Sequence, residues 1–265
     1  MTTTFNPIGG IQQSAAKYLI GLALSVGLLF STAMSANAVP IIFFGEDNSA
    51  GGSLPAPNSA AAEADFLSNL VGVTTENFES LTPGDIFPID VTFGLDTATL
   101  TGTNTITNTG ILNAPVAGRF AISGSQYLNV GTADAPSFTL SFSSPQAAFG
   151  FYGTDIGDFS GQLAIRLDGG TVISIAHTNP NGPNGSALFW GIIDTDMPFS
   201  TVEFVNVGGG DFDDAFGFDD FTIGRVDQVI PSSVPAPATL ALFALGLVGL
   251  GWSRRKECVN CPSGV

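Results

Sequence analysis

The sequence predicts a mainly β protein: a two-sheet β-sandwich with one short N-terminal helix, framed by a signal peptide and a short C-terminal transmembrane helix. Three observations predict it. Gly, Thr, Asn, Ser and Phe dominate the middle of the chain, where charged helical patterns are scarce. Apolar and polar residues alternate over short segments, with turn residues about every ten positions. An apolar run stands near each end of the chain, at 18–34 and 238–252.

The N-terminal run sets the first boundary. Lys17 precedes "YLIGLALSVGLLFSTAM", and "SANA" follows with Ala36 and Ala38 in the A-x-A arrangement. Residues 1–38 therefore read as a secretory signal peptide cleaved after Ala38. Residues 39–230 form the exported domain. After a loop, "EDNSAGGSLPAPN", the stretch "NSAAAEADFLSNL" predicts the helix, with Pro57 before it, Asn58 or Ser59 as cap, and Phe66, Leu67 and Leu70 as its apolar stripe. "NFESL" opens the first strand. "LTGTNTITNTG" reads as an edge strand or a loop. "RFAIS" and "QYLNV" flank Gly124-Ser125 and predict a hairpin. "FTLSF" puts Phe138, Leu140 and Phe142 on one face, and "AAFGFYG" does the same with Phe149 and Phe151. "LAIRLDGGTVISIA" predicts a second hairpin turning at Asp168-Gly169-Gly170. "ALFWGII", "TVEFVNV" and "GFDDFTIG" complete the set.

Charge excludes some partners. Between residues 39 and 233 three arginines, Arg119, Arg166 and Arg225, face 22 acidic residues, a net charge of −19. Such a surface repels nucleic acid and anionic lipid and can hold cations. This part has no cysteine, so disulfides cannot support it. Cys258 and Cys261 form a CxxC in the final tail, too few ligands for a structural zinc.

Catalytic signals are poor. The single histidine, His177, precedes "TNPNGPNG" and reads as a surface loop residue. No G-x-S-x-G elbow and no H-E-x-x-H occur. A cation site is the better candidate. "GGGDFDDAFGFDDF" brings Asp211, Asp213, Asp214, Asp219 and Asp220 into ten residues, and glycines let the backbone present carbonyls to calcium. Phe216 and Phe218 share one parity and Phe221 and Ile223 the other, so burying all four requires a β-bulge at Asp219-Asp220. A carboxylate turned inward there needs a partner or a metal. Asp155 and Asp158 form a second, weaker group. For a glycan, Tyr127, Tyr152, Phe189 and Trp190 are the candidate platform.

The C-terminal region, 231–265, reads as linker, sorting signal, transmembrane helix and basic tail. In "VPAPATLALFALGLVGLGWSRRK" the uncharged run Ala238 to Trp252 has 15 residues, which as a helix spans about 22 Å against a hydrocarbon core of about 30 Å. Arg254, Arg255 and Lys256 can snorkel to headgroups and hold that end cytoplasmic. An exported chain with this tail resembles the PEP-CTERM sorting-signal proteins of Gram-negative bacteria that make exopolysaccharide. Pro235, Pro237, Arg254, Arg255 and Lys256 carry the resemblance, and Ala236 stands where the family has glutamate. It implies recognition by an exosortase and the export machinery, transient or stable anchoring in the inner membrane, and delivery to the cell surface or beyond. "FGFYGTDIGDFSGQL", "FGFDDFTIG" and "NFES" also resemble jelly-roll, lectin-like and carbohydrate-binding modules. That resemblance implies a structural calcium where first and last strands meet, at Glu79 with Asp219 or Asp220. The reading that follows is a non-enzymatic surface or matrix protein associated with exopolysaccharide or biofilm. A carbohydrate-binding module with a defined glycan site is the alternative, and a polysaccharide hydrolase the third.

Overall fold

The structure, a computed structural model, describes residues 39–48, 56–102, 109–131, 138–157, 161–178, 185–207, 215–231 and 245–246. Among the described residues its strands are β1 (Ile41–Asp47), β2 (Thr74–Glu76), β3 (Ile89–Phe93), β4 (Asp96–Gly102), β5 (Gly110–Leu112), β6 (Tyr127–Gly131), β7 (Phe138–Gln146), β8 (Ala148–Thr154), β9 (Gln162–Leu167), β10 (Val172–Ser174), β11 (Ala187–Ile193), β12 (Phe199–Val207) and β13 (Ala215–Gly224), with an α-helix, α1 (Pro57–Leu67), and a short 3-10 turn, Val226–Gln228. They form two sheets. The first runs β1-β11-β8-β13-β6-β5, with β2 also paired to β13; the second runs β10-β9-β12-β7-β4-β3. The described pairings are all antiparallel. The two-sheet sandwich is thus as the alternation predicts.

Alternation decides which faces meet. On β7, Phe138, Leu140 and Phe142 are buried while Ser141 and Ser143 are exposed. The inward faces enclose a phenylalanine-rich core in which Phe138 stacks on Phe204 at 4.2 Å between ring centroids and meets Phe218 at 5.1 Å. Phe216, Phe218, Phe221 and Ile223 all lie in that one core. The strand achieves this by a bulge: Asp219 sits opposite Tyr152 and Thr222 opposite Gly150, so Asp220 and Phe221 together face Phe151. Asp220 adopts φ +49°, a left-handed conformation that aspartate and asparagine tolerate better than most residues.

Both faces of the first sheet are buried around β8 and β11, because α1 lies on the outside. Phe66 of α1 packs on Phe43 and Phe189. Gly150 and Gly191 leave room for it; a Cβ on either would stand 2.8 or 2.9 Å from the Phe66 ring. The helix cap is not the one expected. Asn58 and Ser59 lie inside the first turn, and the side chain of Asp47 on β1 caps them, accepting from the Asn58 amide (3.1 Å), the Ser59 amide (2.9 Å) and the Ser59 hydroxyl (2.9 Å). A carboxylate there meets free N–H groups and the positive end of the helix dipole.

Three further expectations are corrected. "RFAIS" is not a strand. Residues 120–126 cross the β13 bulge irregularly, so no hairpin forms at Gly124-Ser125. "NFES" follows a strand rather than opening one: β2 ends at Glu76, whose Oε1 accepts from the Phe78 amide at 2.6 Å. His177 is only 6% exposed, and its Nε2 accepts the Leu163 amide at 2.9 Å, so the ring completes the β9 edge.

The register fixes the two ends of the sandwich. Ile41 opposes Ile193, Ile193 opposes Ala148, and Ala148 opposes Gly224. The beginning of β1 and the end of β13 therefore lie at one pole. The tight turns at 94–95, 146–147 and 194–198 lie there too, since the Ala147 amide donates to Gly224 and the Asp194 amide to Ala147, each at 2.7 Å. After β13 the chain stays at this pole: Leu70 bridges Val229, and Arg225 pairs with Asp96 at 2.6 Å. The other pole carries the ends of β1, β4, β6, β8, β12 and the start of β13.

Candidate functional site

The bulge turns Asp219 inward, to 1% exposure. One oxygen accepts the Ile122 amide (2.7 Å) and the Ser123 amide (3.0 Å), and the other the Asp220 amide (2.8 Å). Asp220 accepts the Ser123 hydroxyl at 2.6 Å. Beside them Tyr152 donates its hydroxyl to Glu63 of α1 at 2.8 Å. Burial, reinforced by the neighbouring Asp220, pushes Asp219 up to about 8, against the pull of its three amide donors. Burial raises Asp220 as well, opposed by the Ser123 hydroxyl. Burial is also the largest cause for Glu63, with the Asp220 charge adding to it and the Tyr152 hydrogen bond opposing it. Asp219 therefore holds a proton that an exposed carboxyl would have lost at neutral pH.

Glu79 joins the same local structure by another route. One oxygen accepts the Ser125 amide (2.6 Å) and the Gln126 amide (2.5 Å), and these two bonds hold its carboxyl below the ordinary value. Asp219 and Glu79 thus grip successive amides of segment 122–126 and fasten it across β13. The strand before "NFES" meets the last strand, since Glu76 of β2 opposes Phe221 of β13, whereas the first strand, β1, pairs with β11. The carboxylates there find backbone N–H groups as partners. Among the described residues no group of three or more His, Cys, Asp or Glu side chains is disposed to hold a metal ion. Asp211, Asp213 and Asp214, on which the calcium expectation also drew, lie outside the described residues, as does Asp158. Asp155 is committed: it pairs with Arg119 at 3.5 Å and accepts the Gly185 amide at 3.0 Å.

The aromatic platform does not form. Tyr127, Tyr152, Phe189 and Trp190 are all at most 3% exposed. Trp190 and Tyr127 belong to the interior, and Tyr152 and Phe189 lie under α1. Among the described residues no aromatic side chain is exposed. Buried His177, pulled down by burial, likewise serves the β9 backbone.

The signal peptide and the sorting residues Pro235, Pro237, Arg254, Arg255 and Lys256 lie outside the described residues. Among those described, no helix is long and apolar enough to cross a membrane. Comparison with curated proteins returns no match. Among solved structures, the cleaved K2 adhesin domain of Lys-gingipain is 15% identical, covers 58% of this chain and 98% of its own, and superposes with a TM-score of 0.36. TmCBM61, solved with β-1,4-galactotriose, is 18% identical, with coverages of 57% and 94% and a TM-score of 0.28. A family 29 carbohydrate-binding module is 16% identical, with coverages of 51% and 99% and a TM-score of 0.27. Family comparison matches residues 233–256, the stretch that the tail's prolines, apolar run and basic end had singled out. This β-sandwich protein therefore carries a PEP-CTERM protein-sorting motif at its C-terminal end.

Proposed function

We propose that this protein is an exported, non-enzymatic cell-surface or matrix protein, delivered by an exosortase that reads residues 233–256 and displayed among exopolysaccharide. The observation that carries the reading is the sorting motif itself. A cleaved signal peptide, residues 1–38, starts export. The run Ala238 to Trp252 holds the chain in the inner membrane, oriented by Arg254, Arg255 and Lys256. The domain between them suits the destination. It needs no disulfide, and its net charge keeps it soluble and apart from nucleic acid.

The test is the fate of the tail. Mass spectrometry of the mature protein from its native host is expected to show a chain that begins at Val39 and has lost the basic end. Replacing Arg254, Arg255 and Lys256 together with neutral residues is expected to leave the chain unprocessed or mis-sorted. Normal surface delivery of that variant would overturn the reading.

A further inference from the structure

Most of the apolar side chains that the sandwich leaves exposed stand at one end, Ile86 and Val207 being exceptions. Leu95 is 94% exposed, Val39 81%, Met197 73%, Val71 58%, and Val226 and Ile230 47% each. All six stand at the pole where β1 begins and β13 ends. Leu95 tips the β3–β4 turn, whose Asp96 pairs with Arg225. Met197 tips the β11–β12 turn, with its amide held by Asp194 at 3.0 Å. Val71 and Ile230 lie on the two short segments that bridge at Leu70 and Val229. Val39 leads into β1. Single exposed apolar residues are ordinary; six on five segments at one end of a domain form a surface that water solvates poorly.

We infer that this pole is a docking surface for the lipid bilayer, which it meets while the tail is still anchored. The inference rests on the anchoring proposed above. Only residues 232–237 separate Pro231 from the apolar run at Ala238. At most about 3.6 Å per residue, that spacer extends no more than roughly 25 Å. The pole from which it leaves is therefore kept close to the headgroups, and no other face of the sandwich is so placed. Leu95 and Met197, at turn tips, can enter the interfacial layer without disturbing the strands behind them.

Charge selects the lipid. Among the described residues the only cationic side chain at this pole is Arg225, which is paired with Asp96 and with Asp227, and cleavage after Ala38 would add only the Val39 α-amino group. Asp196 and Asp227 are exposed nearby. Contact with a zwitterionic surface is favoured, and anionic lipid opposes it. The opposite pole, with the ends of β4, β6, β8 and β12, then points away from the membrane.

The test uses residues 39–265, the chain that the proposed signal-peptide cleavage leaves, with Cys258 and Cys261 replaced by Ser, reconstituted in phosphatidylcholine vesicles. Single cysteines carry an environment-sensitive fluorophore, at Leu95→Cys or Met197→Cys for the exit pole and at Ile86→Cys or Val207→Cys away from it. The exit-pole labels are expected to shift to the blue and to be quenched several-fold more by a lipid-borne quencher than the other two. Replacing a third of the lipid with phosphatidylglycerol is expected to reduce the shift. Equal, water-like emission from all four positions in a chain that floats with the vesicles would overturn this inference while leaving the anchoring intact. A chain that does not float with the vesicles would overturn both. Quenching that follows protein density rather than the lipid quencher would assign the pole to a second copy of the chain and overturn the bilayer assignment. A shift that grows with phosphatidylglycerol would overturn the charge argument on which the choice of lipid stands.

Discussion

Replacing Asp220 with Asn is expected to stabilise the domain at alkaline pH and to do little at acid pH. Two adjacent carboxyls at the bulge share a site shielded from water, and burial together with Asp220 lifts Asp219 from 3.8 to about 8. A group whose pKa is raised on folding binds more protons folded than unfolded. Its contribution is complete below about 4 and is lost as pH climbs through about 8. Adjacent carboxyls titrate as a pair, so the change belongs to the pair. Asparagine keeps the left-handed backbone at position 220, can still accept the Ser123 hydroxyl, and removes one negative charge. If that lowers the elevation of Asp219 by one unit, the gain approaches about 1.4 kcal/mol at pH 9 and above. In a domain of this size that is a rise of about 3–6 °C in Tm. Thermal melts at pH 5, 7 and 9 measure it, with Asp90→Asn as a control for general charge, since exposed Asp90 touches only the Thr99 hydroxyl among side chains. A wild-type Tm that rises from pH 5 to 9, or an Asp220→Asn gain no larger than that of Asp90→Asn, would refute the reasoning.

Other outcomes follow from single contacts. Gly191→Ala places a Cβ against Phe66 and is expected to cost about 1–3 kcal/mol in denaturant unfolding, because the ring sits between β8 and β11 and has little room to shift. His177→Ala leaves the Leu163 amide without its acceptor and is expected to cost about 1–3 kcal/mol; in the wild type, burial lowers the His177 pKa below 6.5, so stability should fall as pH drops through that lowered value. Melting in calcium and in chelator separates two ways of satisfying the bulge. With amides as partners, as Asp219 and Glu79 have them, the curves coincide; a calcium-dependent rise abolished by Asp220→Ala and untouched by Arg166→Ala would assign the carboxylates to a metal.

The sequence carried the fold through periodicity. The bulge was legible because Phe216 and Phe218 clash in parity with Phe221 and Ile223, and only a slip of one residue buries all four. The strand Ile41–Asp47 was missed because its apolar residues do not alternate; they are shared between α1 on one side and the core on the other. The β3–β4 hairpin did alternate, with Ile89, Val91 and Phe93 buried, but its turn at Gly94-Leu95 is a weak signal. The partners of the buried acids were beyond reach. A sequence without lysine in this domain points to a metal, whereas the fold supplies backbone amides, which sequence spacing does not reveal. The same holds for His177, which a loop composition placed outside and a missing strand partner drew in.

The closeness of the start of β1 to the end of β13 has a consequence for engineering. From the start of β1 to the end of β13 the first sheet takes three steps, through β11 and β8, or about 15 Å at the usual strand spacing. About eight Gly/Ser residues would close that gap. A circular permutant joined there could take its new ends from one of the connections at the other pole, where strand pairing is not interrupted. Such a molecule would keep its core and turn over: the sorting tail, reattached to the new C-terminus, would point away from the membrane the face that the proposed anchoring turns toward it. Surface delivery of the native and the permuted molecules would then report whether sorting depends on which end of the sandwich leads.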